Sequence, residues 1–202
     1  MPRPKTLSDE DVLAAAHRLI QEHGPERLTF ESLGRACGLS PATLVQRFGT
    51  KQGMKRRALL HAWDRLDERT VELAARAPKT PAGAIELLVS LSEGSGGIET
   101  YAQGLLVLRE DLRDPALRAR GAAWKAELSA ALDGCFDGIP HAPKRIGLLM
   151  ATQWQGSLLW WSFEPQGSVE EHVEGALKRF VAALVGPPQS GGGGRLNSRR
   201  ER

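Results

Sequence analysis

Thr29-Phe30-Glu31-Ser32-Leu33-Gly34-Arg35-Ala36-Cys37-Gly38-Leu39-Ser40-Pro41-Ala42-Thr43-Leu44-Val45-Gln46-Arg47-Phe48 is the stretch that decides the fold. Thr29 and Ser40 are N-cap residues, because their hydroxyl oxygens can accept the amide protons that a first helical turn leaves free. Pro41 at the first helical position gives up no hydrogen bond the helix needs. Gly38 supplies a backbone conformation that side chains resist, so two short helices can cross steeply around it. Leu33, Leu39 and Leu44 then meet inside the crossing angle. Pro41, Ala42, Thr43, Gln46 and Arg47 are left on the outer face of the second helix. That face is short, polar and basic, as the major groove of DNA demands. Gln46 suits an adenine edge, Thr43 a base edge or a thymine methyl, and Arg47 a guanine or a phosphate. Lys51 opens the next helix, where backbone N–H groups also favour phosphate. A helical hairpin of some other purpose is the competing reading.

Helical spacing continues on both sides, and no segment reads as a strand series. Ser8 and Asp11 have capping-box spacing ahead of Val12, Leu13, Ala16, Leu19 and Ile20, and Gly24-Pro25 ends that helix. Thr50 caps a long helix running towards Ala77. Further helices are predicted over 82–93, 98–111, 114–136, 142–163 and 168–185, about nine in all, separated by glycine and proline breaks. The fold class is therefore all-α. The division expected is a helix-turn-helix DNA-binding domain with a basic arm at 1–55, a helical ligand-binding and dimerisation domain at 56–186, and a flexible Gly/Arg-rich tail at 187–202.

Charge is distributed unevenly although the net is only +3. Ser32 to Trp63 contains six Lys/Arg (Arg35, Arg47, Lys51, Lys55, Arg56, Arg57) and no acid, and the starting arm adds Arg3 and Lys5. Asp64 to Ser190 carries 13 basic and 17 acidic residues. A positive front joined to a mildly acidic rear is the footprint of a polyanion-binding module attached to something else; a solvated basic face is the plainer alternative.

In the rear half, Ile146 to Phe163 holds no charged residue in eighteen positions. Thr152, Gln153, Gln155, Ser157 and Ser162 are spread around it, which favours a helix buried on all sides over a membrane span. One face (Ile146, Leu149, Met150, Trp154, Leu158, Trp161) suits the domain's own core. The other (Leu148, Ala151, Gln155, Leu159) is left for a partner. The last helix repeats Val173, Leu177 and Phe180 on one face, and two such helices from each of two chains would form a four-helix, two-fold interface. A two-fold pair sets its recognition helices about 34 Å apart, one turn of DNA. Trp63, Tyr101, Trp124, Trp154 and Trp161, with Leu105 and Met150, are candidates for a pocket taking a flat or greasy ligand; core packing is the commoner role for any one of them.

Residues 12–54 resemble the TetR family of bacterial transcriptional regulators. The elements that carry the resemblance are Val12-Leu13-Ala14-Ala15-Ala16, Leu19-Ile20, Gly24, Leu28-Thr29-Phe30, Leu33, Ala36-Cys37-Gly38-Leu39-Ser40, Thr43-Leu44, Phe48-Gly49, Lys51 and Met54. Two positions depart from the family's usual pattern: Val45 stands for a Tyr that commonly contacts a phosphate, and Arg47 stands for a His. The resemblance implies an all-helical homodimer, usually a repressor, that leaves its double-stranded operator when a small-molecule effector enters the C-terminal domain. Thr29, Ser40 and Lys51 join the outer-face residues as implied DNA contacts.

No catalytic constellation is present: no GxSxG elbow, P-loop or GxGxxG, and the five His (His17, His23, His61, His141, His172) lack ligand spacing. No enzyme activity, metal or other cofactor is expected. Cys37 and Cys135 do not make a disulfide scaffold, and no signal segment precedes Ser8, so a cytoplasmic, membrane-free protein is expected. The alternative function is a helical small-molecule binding protein whose front domain no longer reads DNA.

Overall fold

The computed structural model describes residues 7–93 and 97–185. Arg3, Lys5 and the 187–202 tail lie outside the described residues. The elements are α1 (Asp9–His23), a 3-10 turn (Pro25–Arg27), α2 (Phe30–Cys37), α3 (Pro41–Phe48), α4 (Lys51–Arg76), α5 (Pro81–Ser92), α6 (Ile98–Arg113), α7 (Pro115–Asp133), α8 (Ile146–Phe163) and α9 (Val169–Val185), with no strand among the described residues. The all-helical class follows from local chemistry. Ser8 and Asp11 make the reciprocal capping box on α1. Thr50, Thr80 and Asp114 each accept amide protons from the first turns of α4, α5 and α7.

Two cores organise the helices. The front core packs Val12, Ala16 and Ile20 of α1 against Leu33, Leu44, Phe48, Met54 and Ala58. The rear core packs Leu87 and Leu88 of α5, Trp124, Leu128 and Leu132 of α7, Met150, Trp154 and Leu158 of α8, and Val173 and Leu177 of α9. Each fully buried leucine or isoleucine contributes about 1.5–3 kcal/mol relative to exposure. α4 belongs to both: Met54, Ala58 and Leu59 enter the front core, and Leu66 and Leu73 line the rear one. The boundary expected at residue 55 thus falls inside one continuous helix, and Leu117 of α7 also enters the front core.

Element ends differ most in two places, with α6 also running on to Arg113 rather than 111. α7 stops at Asp133 rather than 136, and α8 starts at Ile146 rather than 142. Asp133 bears on the second, because its carboxylate accepts the Gly147 N–H at 2.7 Å at the start of α8. A Cβ on Gly147 would lie 2.0 Å from the Ser129 carbonyl oxygen, so α7 and α8 approach as closely as backbone allows. α8 is not buried on all sides. Leu149 and Leu159 are 39% and 41% exposed, and Trp160 and Phe163 are both 70% exposed. No described helix is long and apolar enough to cross a membrane.

Candidate nucleic-acid interface

The recognition hairpin is built from its caps. Thr29 and Ser32 exchange bonds at the start of α2: the Thr29 N–H donates to Ser32 Oγ at 2.9 Å, and the Ser32 N–H donates to Thr29 Oγ1 at 3.0 Å. α2 ends at Gly38, whose φ of +66° is left-handed. A Cβ at Gly34 would lie 2.6 Å from the Leu39 carbonyl oxygen, so the turn closes only over glycine. Ser40 Oγ accepts the Thr43 N–H at 3.1 Å and sits 2.8 Å from the Thr43 hydroxyl. Leu44 and Phe48 anchor α3 in the front core.

Pro41, Ala42, Val45 and Gln46 are the exposed residues along α3, and Thr43 is half-buried. Gln46 is the long polar side chain that this face offers to a base edge. Arg47 differs from its expected outward placement. Its guanidinium turns towards the start of α1, where Nη2 donates to the Leu7 carbonyl at 3.0 Å and Nη1 lies 3.7 Å from Asp9. Asp9 also pairs with Arg57 at 3.1 Å, and the Arg57 guanidinium sits 4.7 Å over the Phe48 ring.

The positive strip is therefore partly neutralised within the chain. Lys55 is buried against Glu110 at 2.5 Å, and Arg56 pairs with Asp114 at 3.1 Å. Lys51 remains exposed at the mouth of α4, with Nζ donating to the Glu26 carbonyl at 3.1 Å. Arg35 is exposed with no described ionic partner. Arg27 and Arg35 border a groove with Thr29 and Ser32 beside the hairpin. Arg27 lies outside the sequence-based set because it falls in the 3-10 turn, which periodicity does not show.

Two of the pairs that remove cations from the strip tie α4 to the helices behind it. Lys55–Glu110 links α4 to α6, and Arg56 links α4 to the α7 cap. Arg120 of α7 pairs with Asp64 at 2.6 Å and also with Asp67, both on α4. The Lys55 hydrogen bond holds the Glu110 carboxyl below its ordinary value against the opposing effect of burial.

The residues expected around a ligand are dispersed. Trp124, Met150, Trp154 and Trp161 are buried in the rear core. Trp63, Trp124 and Trp154 form a chain with ring centroids 5.9 and 6.3 Å apart. Trp124 Nε1 donates to Thr70 Oγ1 at 2.9 Å and Trp154 Nε1 to Ser92 Oγ at 2.8 Å, so both indoles are satisfied within the protein. Tyr101 is half-buried, and Leu105 is 43% exposed on α6. Trp63 alone of this set lines a separate cleft between α1, α4 and α6, together with His17 and Asp111.

The residues expected at a dimer face also divide. Ala151, Val173 and Leu177 are buried in the protomer's own core, because the apolar face of α9 packs inward on α5 and α8. Leu148 and Phe180 are half-buried, and Gln155 and Leu159 are exposed. The open apolar surface instead runs along Leu149, Gly156, Trp160 and Phe180, which border a groove between α8 and α9. Leu149, expected inward, faces outward, at the edge of a face whose other five expected residues are buried. No group of three or more His, Cys, Asp or Glu able to hold a metal occurs among the described residues.

Residues 12–58 match the family model of bacterial regulatory proteins, tetR family. No curated protein matches the chain significantly. Among solved structures, a candidate transcriptional regulator from Saccharomonospora viridis in complex with choline matches with TM-score 0.68 and 18% identity, covering 84% of this chain and 93% of that one. A candidate TetR-family regulator from Mesorhizobium loti matches with TM-score 0.63 and 18% identity, covering 88% and 98%. AibR, solved with isovaleryl coenzyme A and operator DNA, matches with TM-score 0.59 and 18% identity, covering 87% and 97%. At these identities the likeness is one of fold.

Proposed function

From a front domain at residues 12–58 that belongs to the tetR family of bacterial regulatory proteins, and so makes the chain a DNA-binding transcriptional regulator, we propose a homodimeric repressor that a small molecule releases from its operator. The reading assigns residues 1–55 to DNA and 56–186 to effector binding and pairing. The observation that carries it is the exposed face of α3, capped by Ser40 and fixed by Leu44 and Phe48, on a hairpin joined without a break to the rear core by α4. Gln46 and Thr43 read base edges, Pro41 and Ala42 allow close approach, and Thr29, Ser40 and Lys51 position the phosphate backbone. Arg3 and Lys5 extend the positive charge along the duplex. Arg47 contributes by orienting α1 against α3 and supplies a phosphate contact only by leaving Asp9.

Two structural neighbours support the ligand and operator parts of the reading. One was solved with choline and one with isovaleryl coenzyme A and operator DNA. The mechanism is mechanical. An effector that moves α6 or α7 moves α4 through the Lys55, Arg56 and Arg120 pairs, and so changes the spacing of two recognition helices in a dimer. DNA and effector oppose one another because each favours a different arrangement.

Selection from random duplex DNA tests the reading. The recovered sequences should show a two-fold symmetric motif, and affinity should fall linearly with salt on logarithmic axes. Recovery of no enriched sequence would leave only the alternative, a ligand-binding protein with a silent front domain.

A further inference from the structure

A cleft of about 310 Å³ opens where the front and rear cores meet, between α1, α4 and α6. Leu59 and Val107 give it apolar walls, Trp63 an aromatic one, and His17, Gln21 and Asp111 the polar groups. The volume corresponds to roughly ten waters, which admits a small ligand and excludes a large one.

Asp111 decides what such a ligand must be. Its residue is 8% exposed. Among the described residues its side chain has one hydrogen-bond partner, the Trp63 Nε1–H at 3.3 Å, and no cation at ion-pair distance. The preceding residue makes the contrast. Glu110 is equally buried, and Lys55 covers it at 2.5 Å. A buried carboxylate without a counter-ion is costly, and burial accordingly pushes the Asp111 carboxyl up. The missing charge is positive. Trp63 adds an indole that attracts cations to its face. His17 does not act as the cation, because burial first, then His61 and Arg18, hold its imidazole below the usual value. A neutral imidazole with the Gln21 amide at the mouth serves a hydroxyl or carbonyl at the far end of a ligand.

We propose that this cleft binds a small organic cation, an amine or quaternary ammonium compound, with Asp111 as its counter-ion and Trp63 as its aromatic wall. Binding stands independently of DNA; only its consequence for operator release rests on the regulator reading above.

Calorimetric titration of the full-length protein tests it with choline, butylamine and 3,3-dimethylbutan-1-ol, the uncharged isostere of choline. A charged probe should bind at least about tenfold more tightly than the uncharged one. Asp111→Asn keeps a carbonyl oxygen for the Trp63 N–H and should erase that preference. It should melt at or above the wild-type temperature, since a desolvated charge is removed. Equal affinity for charged and uncharged probes in the wild type overturns the proposal, as does a charge preference that survives Asp111→Asn. A charge preference that needs Asp111 but leaves duplex binding unchanged keeps the cation site and removes the ligand-release reading instead.

Discussion

Lys55→Met is the most informative change at the contact between α4 and α6. The wild-type pair is short, with Lys55 Nζ 2.5 Å from Glu110 Oε2, and the side chains are 10% and 9% exposed. An exposed ion pair contributes about 0–1 kcal/mol, whereas breaking a buried one by removing a partner costs about 3–5 kcal/mol. Some water still reaches the rim of this pair, so the lower end, about 3 kcal/mol, is expected. In a chain of this length about 1 kcal/mol moves the midpoint by roughly 2–4 °C, so Lys55→Met should melt roughly 6–12 °C lower. Lys55→Met with Glu110→Met should recover most of the loss, because no uncompensated charge is left inside. The pH dependence has a definite sign. Glu110 is held below its ordinary value of 4.5, so the pair's contribution is complete above that pH and disappears as pH falls through the lower folded value. The gap between wild type and Lys55→Met should therefore narrow in acid. Circular dichroism melts at neutral and acidic pH measure it. A single variant within about 1 kcal/mol of wild type at neutral pH would refute the reasoning, since that is the behaviour of a surface pair.

Three further outcomes are expected. Gln46→Ala should weaken binding to the selected operator by about 1–3 kcal/mol while leaving unrelated duplexes unchanged, as read by fluorescence anisotropy. Lys51→Ala should weaken all duplexes alike and reduce the salt slope by about one, and a loss confined to one sequence would contradict a phosphate role. Trp160→Glu, at a residue 70% exposed, should shift sedimentation from dimer to monomer without lowering the melting temperature of the protomer; a mutant that still sediments as a dimer places the interface elsewhere.

The hairpin and the helix count were legible because caps and breakers act locally. Thr29, Gly38, Ser40, Pro41, Gly49 and Thr50 state their roles within four residues of themselves, and the structure uses them that way. Side-chain partnerships were not legible. Lys55 and Glu110 are 55 residues apart, and nothing near either predicts the other. The acid-free run after Ser32 looked like an open basic face for that reason: its acidic partners, Asp9, Glu110 and Asp114, come from other elements. The inward face of α8 was legible apart from its edges: Ile146, Met150, Trp154, Leu158 and Trp161 are buried, while Leu149 faces out and Ala151 faces in. A helix apolar on nearly every side leaves those edge positions undecided, and the close contact at Gly147 helps fix which side faces α7. Trp63 was legible as a pocket candidate, but Asp111 carried no signal of the cleft, because its walls come from three helices.

The arrangement of charge bears directly on how the two halves communicate. α1 and α4 both enter the front core, and the same two helices form two walls of the cleft whose third wall is α6. The end of α1 packs on α6 as well: a Cβ at Gly24 would lie 3.2 Å from the Gln103 amide oxygen. α4 runs from that cleft back to Lys51, one turn beyond the recognition helix, with no glycine or proline hinge after Gly53. A group that enters the cleft beside Trp63 and Asp111 cannot be accommodated by a flexible linker, since none separates the cores there. It must be accommodated by α1, α4 or α6, and the first two carry the DNA-reading hairpin. Coupling between effector and operator then requires no long pathway through the rear core. It requires only that the duplex and the cleft's occupant prefer different spacings of α1 and α6, and by linkage the operator must oppose the occupant as strongly as the occupant opposes the operator.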